Sequence, residues 1–234
     1  MQISDITNCY LCGLELDSTS VSDHIIPDKL FPPNSPHRPQ LQVHDKCNNQ
    51  KSKEDEWFIK HLQLRSSFNP EAERELSKMI EDGIKEKPDA YIIGKKLHSY
   101  KLTKTIFNKV SWGLELDHKG QKLKQIELHK DDVSRFSQYV ETMCRGLFIR
   151  NVPSSNPPVP ELILRQNADL ELRGKVDGFI KSIDGFIEAS RSTHFGQIWG
   201  NRILYIGSRV AETPDKGFLF LQFYSQFCIL AMFK

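Results

Sequence analysis

Two matched pairs of metal-binding side chains near the start of the chain constrain its folding more than any other feature. Cys9 and Cys12 form the first pair, and His44 and Cys47 form the second. Within each pair two residues separate the donors, so both side chains can reach one tetrahedral ion through a tight turn, and thiolate and imidazole donors suit zinc. Because the four side chains fill all four positions, the spacing predicts a structural Zn²⁺ that clamps the ends of segment 13–43.

The five cysteines of the chain fall into two groups, which favours a metal site over a disulfide framework. Cys144 and Cys228 stand apart from the matched pairs in apolar surroundings, and we expect them to be small buried residues. Gly13 directly follows the first pair and is expected to adopt the positive φ that such a turn requires. The alternative, ordinary cysteines beside a surface histidine, does not explain four ligands in two matched pairs.

A second group of polar residues is placed around the same pairs. Asp23 and His24 lie in the short apolar stretch 21–26, which is typical of a strand. Asn48 follows the second pair, where the apolar spacing predicts a helix over about 47–65. Adjacent side chains point to opposite faces of a regular strand, so Asp23 and His24 can share one site only if a bulge or the strand end re-aims one of them.

In the order of these motifs, residues 9–60 resemble the HNH nuclease family in its zinc-knuckle, ββα-metal form. That family has a Cys-x2-Cys knuckle, an acid-His-x-x-Pro segment on a strand, and a second knuckle that leads into a helix with a His or Asn ligand. This chain has Asp23 and His24 before Pro27 and, like the HNN-type members, Asn48 on the helix. The resemblance implies that His24 is the general base and that Asp23 and Asn48 hold a catalytic Mg²⁺ or Mn²⁺.

One position departs from the family pattern. The middle asparagine, which positions the catalytic histidine, would fall near residue 39, and this chain has Pro39 there with Gln40 beside it. Gln40 and Asn34 are therefore the candidates for the positioning role.

The chemistry of phosphodiester hydrolysis explains why these residue types are needed. The reaction requires a nucleophilic water and stabilisation of the charge that develops on the phosphoryl oxygens. A neutral histidine can take a proton from water near pH 7, and a hard divalent cation prefers carboxylate and amide oxygens. The structural alternatives are a core histidine for His24, a turn residue for Asp23 and a helix N-cap for Asn48.

The charge of the chain limits how it can hold nucleic acid. Because 32 Lys and Arg residues stand against 30 Asp and Glu residues, binding to DNA requires a local basic patch. A modest basic rim surrounds the motifs and is predicted to contact backbone phosphates without reading bases. Its members are Arg38, Lys46, Lys51 and Lys53, with Lys29 nearby. For Lys51 the alternative is a solvated side chain.

The whole chain predicts an α+β fold, with a nuclease module over 1–66 and a helical, then β-rich region over 67–234. The apolar stretch 217–233 is too short for a spanning helix and is interrupted by Gln and Ser, so it is expected to form buried strands. The other predicted elements are a strand at 41–43, helices at 70–85, 89–100, 131–148 and 174–189, a hairpin of 110–116 with 122–128, a loop at 153–160 and three or four aromatic strands to the end.

The expected function is a metal-dependent DNA endonuclease, and the resemblance suggests restriction or phage defence. The first residues lack the features of a secretory signal, so a cytoplasmic protein without membrane contact is expected. The C-terminal region is expected to sense a trigger or to dock a regulatory protein or a second copy of the chain. The alternative is a non-catalytic zinc-ribbon module that binds nucleic acid or protein.

Overall fold

The structure is a computed structural model with a mixed α+β fold. It describes residues 6–65, 130–152, 159–166, 193–200, 202–210, 213–224 and 227–234, the backbone of 111–116 and 122–127, and the single positions 72, 74, 75, 77, 78 and 157. The helices predicted at 89–100 and 174–189 lie outside the described residues, as does most of the loop predicted at 153–160.

Two strands and a helix form the unit that carries the predicted site residues. Strand β1, Ser20–His24, pairs antiparallel with β2, Gln40–His44, and helix α1, Asp45–Arg65, begins directly after β2. The proline-rich segment between the strands contains a short 3-10 turn, Asp28–Leu30. Proline fixes φ and lacks a backbone donor, so this segment cannot extend either strand or form a longer helix.

A hairpin and a second long helix follow. Strands β3, Ser111–Leu116, and β4, Lys122–Glu127, pair antiparallel, and helix α2 spans Lys130–Asn151. In the part of the chain that the structure describes, neither long helix nor any other could cross a membrane, because none combines the length with the apolarity. One face of α2 is buried, with apolar residues at helical spacing: Phe136, Val140, Met143 and Leu147.

A five-stranded antiparallel sheet packs against the helices, with the strand order β5-β9-β8-β7-β6. Alternation along the strands gives the sheet a fully buried face, as Ile203 and Tyr205 show in β7, where Leu204 between them is half-buried. The strands are β5, Glu161–Gln166; β6, Thr193–Trp199; β7, Ile203–Arg209; β8, Gly217–Phe223; and β9, Phe227–Phe233.

Where the structure describes them, most predicted elements are confirmed. Helix α1 begins two residues before the predicted start at 47, the hairpin and α2 match within three residues at each end, and the apolar stretch 217–233 forms β8 and β9. Positions 72, 74, 75, 77 and 78 are helical, inside the helix predicted at 70–85. Strand β5 was not predicted, because a short apolar run beside a proline-rich segment becomes a strand only through its distant partner β9.

Among the described residues, a hydrophobic core joins the N-terminal unit to α2 and the sheet. Phe58 of α1 lies 5.0 Å from Phe136 of α2 between ring centroids. Trp199, at the end of β6, meets Phe31 edge to face at 4.9 Å and donates a hydrogen bond from Nε1 to the Pro36 carbonyl oxygen at 3.0 Å. Residues distant in sequence therefore support the unit that carries the candidate site, while the predicted domain boundary stays a prediction.

Candidate functional site

The four predicted zinc ligands come together in the structure, and we call them the Cys/His cluster (Cys9, Cys12, His44 and Cys47). Their ligand atoms all lie within 4.8 Å of one another. Cys12 Sγ is 3.4 Å from His44 Nδ1, and a tetrahedral zinc with bonds of about 2.3 Å to sulfur and 2.0 Å to nitrogen would separate the two atoms by about 3.5 Å. The donor set could therefore hold a zinc-like ion.

Short local elements bring these ligands together. The first pair lies in a tight turn in which Cys9 N donates to the Leu14 carbonyl at 2.8 Å and Gly13 N donates to the Cys9 carbonyl at 2.7 Å. Gly13 has a φ of 77°, as predicted, and an added Cβ there would meet no atom within 4 Å. The backbone conformation, rather than lack of space, therefore requires glycine at this position. His44 ends β2, and Cys47 lies in the first turn of α1.

The His44 ring is oriented by a second contact. Its Nε2 lies 2.8 Å from the Glu15 carbonyl oxygen, and because a carbonyl only accepts hydrogen bonds, the proton is on Nε2 and the lone pair on Nδ1, facing the thiols. This hydrogen bond is also the main cause that raises the pKa of His44. Such an outer contact is typical of a metal-bound histidine.

The thiols of the cluster ionise unequally. Desolvation, together with the Cys12 and Cys9 side chains, raises the pKa of Cys47 to about 12. Desolvation also acts against ionisation of Cys12, but hydrogen bonds from the Leu14 backbone and from the other thiols outweigh it and lower that pKa. Thiols this close together can all ionise only beside a cation, as ligation of a divalent ion requires.

Asp23 occupies a buried position on β1, opposite Leu41 of β2. Its side chain is 6% exposed; Tyr10 donates from its hydroxyl to Oδ2 at 2.5 Å, and Lys51 Nζ lies 3.3 Å from Oδ1. Desolvation raises the pKa of the Asp23 carboxyl, and the Lys51 ammonium opposes that shift. The carboxylate is therefore held by one neutral and one charged donor.

Lys51 lies at the centre of the buried polar residues and is 7% exposed. Besides Asp23, its ammonium contacts the His24 carbonyl oxygen at 2.8 Å and Asp55 Oδ1 at 3.0 Å. Tyr139 of α2 donates to the same Asp55 oxygen at 2.5 Å. We call Tyr10, Asp23, Lys51, Asp55 and Tyr139 the Asp23 cluster. In this arrangement the Lys51 ammonium is surrounded by protein oxygens, and the salt dependence of DNA binding tests whether it also makes the predicted phosphate contact.

His24 faces the other side of β1, as a regular strand requires, so only its carbonyl oxygen contacts the Asp23 cluster. Its side chain is partly exposed and lies directly across the ladder from Gln40, with 2.6 Å between His24 Nε2 and the Gln40 amide nitrogen. Asp28 is 3.6 Å from the same ring nitrogen and also forms an ion pair with Arg38. Of the two candidates for the positioning role, Gln40 contacts His24.

The remaining predicted residues line the start of α1. Asn48 is half-buried, its carbonyl accepts a hydrogen bond from Ser52 Oγ at 2.9 Å, and it lies one helical turn before Lys51 on the same side of the helix. Lys46 and Lys53 are exposed. Asp23 and His24 thus point to opposite faces of β1, and Asn48 lies on the side of α1 that carries Lys51.

A cleft of about 420 Å³ lies between the Cys/His cluster, α1 and α2, and Tyr139 and Lys51 both line it. Arg135 stands on its α2 wall, where Nε and the second terminal nitrogen bind the two oxygens of Glu54 at 2.7 and 2.8 Å. Residues of the Asp23 cluster thus border a space that is open to solvent.

Sequence reasoning missed three members of the Asp23 cluster: Tyr10, Asp55 and Tyr139. Asp55 had a readable signal, because it follows Lys51 by four residues on a predicted helix, the spacing of an ion pair. The sequence carried no such signal for the two tyrosines, because α2 and the turn that contains Cys9 and Cys12 reach the site through tertiary packing.

Comparisons with protein-family models, with curated proteins and with solved structures find no match for this chain. A function for this chain is therefore inferred from the arrangement of its own residues.

Proposed function

We propose that this chain is a metal-dependent endonuclease of the HNH type, in its HNN-like form, that hydrolyses phosphodiester bonds in DNA. The observation that carries the proposal is the antiparallel pair β1–β2 followed at once by α1, with the Cys/His cluster at the junction and His24 partly exposed at the end of β1. In this proposal zinc in the Cys/His cluster is structural and fixes β2 and α1 relative to the turn that contains Cys9 and Cys12.

His24 acts as the general base that takes a proton from the attacking water. Gln40 positions it, because the cross-strand contact of 2.6 Å between its amide and Nε2 fixes the ring. Ser22 Oγ lies 3.2 Å from the other end of the Gln40 amide, at Oε1, and so holds that amide in turn. His24 is therefore oriented through two successive contacts on neighbouring strands.

Asp23 and Asn48 would hold the catalytic cation, Mg²⁺ or Mn²⁺, because a carboxylate and an amide oxygen are ligands that such hard ions accept. Because Asp23 and His24 point to opposite faces of β1, the proposal requires the end of this strand, where His24 lies, to turn one of the two side chains toward the other. When bound, the cation would stabilise negative charge on the phosphoryl and leaving oxygens. Each Asp23 oxygen is drawn to a single side chain, Lys51 at Oδ1 and Tyr10 at Oδ2. A carboxylate oxygen has two lone-pair directions, so capacity for a further ligand remains.

DNA would be held by few phosphate contacts along the rim of the site. Lys46 and Lys53 are exposed there, and Arg38 is part-buried beside Asp28. Point charges at these positions bind the backbone and read no bases. The resemblance extends the proposal to a role in restriction or phage defence, with residues 67–234 as the region that senses a trigger or docks a protein partner.

The test is cleavage of supercoiled plasmid with Mg²⁺ or Mn²⁺. We expect wild type to nick the plasmid and His24→Ala to lose activity by about 10²–10⁴-fold while keeping its zinc, as for loss of a general base. His37→Asn is the matched control, because His37 is exposed and has a φ of 52°, which asparagine tolerates. Equal rates for wild type and His24→Ala would disprove the catalytic role.

The metal ligands are distinguished from the base by the metal requirement. Asp23→Ala and Asn48→Ala should raise the Mn²⁺ concentration for half-maximal cleavage, whereas His24→Ala should leave Mn²⁺ binding unchanged. The same shift in all three variants would contradict the assigned roles.

A non-catalytic zinc-binding module is the second candidate, and burial of the Asp23 carboxylate favours it. In that case Tyr10, Asp23 and Lys51 only stabilise the packing of β1 on α1. Zinc-loaded protein that binds DNA but neither binds Mn²⁺ nor nicks plasmid would identify this alternative.

A further inference from the structure

A continuous chain of hydrogen bonds connects helix α2 to the proposed metal ligand. Tyr139 donates to Asp55 at 2.5 Å, Lys51 contacts Asp55 at 3.0 Å and Asp23 at 3.3 Å, and Tyr10 donates to Asp23 at 2.5 Å. This series of hydrogen bonds thus begins on α2, in the C-terminal region, and reaches the Asp23 carboxylate of the N-terminal unit. One ammonium is shared between the two carboxylates.

We propose that Tyr139 is a positioning residue that sets the cation affinity of Asp23 by controlling how the Lys51 ammonium divides between Asp23 and Asp55. The inference rests on the proposed function, since it takes Asp23 to be a metal ligand. It gives α2, outside the predicted nuclease module, a direct part in the site.

The geometry gives the expected sign of the effect. The Tyr139 hydroxyl satisfies part of the acceptor capacity of Asp55, which leaves Lys51 close enough to Asp23 to touch it. The contact to Asp23 is nevertheless longer than the best contact to Asp55, 3.3 Å against 3.0 Å. Without the tyrosine hydroxyl, Asp55 attracts the ammonium more strongly, so Lys51, still held by the His24 carbonyl oxygen at 2.8 Å, moves away from Asp23. A divalent cation at Asp23 is then repelled less.

Tyr139→Phe tests this with little change in packing, because the ring that stacks on Phe58 at 4.3 Å is retained. We expect Mn²⁺ to bind about twofold to tenfold more tightly to this variant, from movement of one charge by about an ångström near a dication. Titration of zinc-loaded protein with Mn²⁺, followed by the electron paramagnetic resonance of the free ion, measures the dissociation constant. Asp23→Asn should abolish the binding and so identify the site.

Asp55→Asn provides a variant with the opposite expected sign. The amide keeps its size and can still accept from Tyr139, but it carries no negative charge, so the Lys51 ammonium is drawn mainly to Asp23. Mn²⁺ binding should therefore weaken, by about twofold to tenfold. A lesion that only loosened the fold would weaken binding in both variants, so opposite signs separate the proposed role from a structural one.

Tyr224→Phe is the matched control. Tyr224 is also buried and also donates to a carboxylate, Glu75, at 2.8 Å, but this pair lies outside the Asp23 cluster. Its dissociation constant for Mn²⁺ should equal that of wild type. If Tyr139→Phe has the same dissociation constant for Mn²⁺ as Tyr224→Phe, or binds Mn²⁺ more weakly, the proposed role of Tyr139 is wrong, whereas the proposed metal site at Asp23 is not contradicted. If wild type binds no Mn²⁺, the proposed metal site fails and the role of Tyr139 fails with it.

Discussion

The Cys/His cluster and the Asp23 cluster are built on the same strand pair and helix, yet they concentrate charge in different ways. The Cys/His cluster lies near the surface, and its donors come from two short segments with fixed spacing. The Asp23 cluster is largely buried, and its members come from the turn that contains Cys9 and Cys12, from β1, and from the helices α1 and α2. A bound cation would balance ionised thiols in the first cluster, whereas in the second the Lys51 ammonium already lies against two carboxylates.

This difference decides what can be predicted from sequence. Spacing alone identified all four ligands of the Cys/His cluster, because a local turn brings each pair together. The Asp23 cluster depends on which distant elements pack over β1; the order of motifs pointed to Asp23, and Lys51 was predicted only as part of the basic rim. We expect the two clusters to differ in energetics as they differ in construction.

The largest effect is expected for Cys12→Ser. Structural zinc sites contribute about 10–16 kcal/mol of apparent binding free energy at pH 7, and that energy is also folding energy. The variant should lose zinc and the folded N-terminal unit, as measured by metal analysis and circular dichroism. Cys144→Ala is the control, since Cys144 is buried on α2 and is not one of the four grouped metal-binding side chains, and it should keep one equivalent of zinc. Well-folded wild type without zinc would refute the structural role of the metal.

Lys51→Met tests whether the ammonium is the internal cation of the Asp23 cluster. Removing it leaves two carboxylates without their positive partner, and loss of one partner from a buried ion pair costs about 3–5 kcal/mol. We expect a loss in the free energy of unfolding near that range, measured by urea titration.

Lys60→Met on the same helix is the matched comparison for Lys51→Met. The Lys60 side chain is 4% exposed, but its partner Glu56 is 31% exposed, whereas the Lys51 side chain and Asp23 are each 6% exposed. Glu56 can regain water when its partner is lost, so the Lys60 variant should lose less stability. Equal losses of stability would show that Lys51 contributes no more to the Asp23 cluster than Lys60 contributes through its ion pair with Glu56.

Gly146→Ala tests the packing that brings α2 onto the N-terminal unit. An added Cβ would lie 2.7 Å from the Tyr10 ring and 2.9 Å from Ile25 Cγ2, closer than such atoms approach, so α2 or the two side chains must shift. Overpacking of this kind costs about 1–3 kcal/mol. Gly13→Ala gives the contrast within the Cys/His cluster, because space is available there and only the positive φ opposes alanine, at about 1–2 kcal/mol.

Thermal unfolding of both glycine variants measures these losses, and zinc content distinguishes them. Gly146→Ala should keep zinc and weaken the contact of α2 with Tyr10, whereas Gly13→Ala should reduce zinc affinity. A Gly146→Ala protein as stable as wild type would mean that α2 does not lie this close to the Asp23 cluster.

The cross-strand contact of His24 with Gln40 shows which part of the site could be predicted from the sequence and which part could not. The departure at Pro39 was visible, and Gln40 was one of two candidates for the missing asparagine; the register of β1 and β2, which sequence leaves undetermined, selects it. Asn34 instead adopts a φ of 60° in the exposed loop between the strands. Position in the ladder, not residue type, therefore decides which amide contacts the histidine.

Gln40→Ala should lower the rate of plasmid nicking by about 10–100-fold without changing Mn²⁺ affinity, because misorientation of a catalytic group acts on the chemical step. Gln42→Ala is the matched control, as Gln42 lies on the same strand with its side chain exposed, and it should cleave at the wild-type rate. A Gln40→Ala rate within twofold of the control would remove Gln40 from the positioning role.

The smallest expected effect separates exposed from buried lysines in DNA binding. Each phosphate contact contributes about −0.9 to the slope of log affinity against log salt concentration. Lys53 is exposed, so Lys53→Ala in the His24→Ala background should make the slope shallower by about one and weaken all sequences alike. Lys51 is buried against protein oxygens, so Lys51→Met should leave the slope unchanged at a temperature where the variant is folded. A shallower slope for Lys51→Met would instead mean that its ammonium leaves the Asp23 cluster to contact a phosphate, and that the charge balance of this cluster is reset when DNA binds.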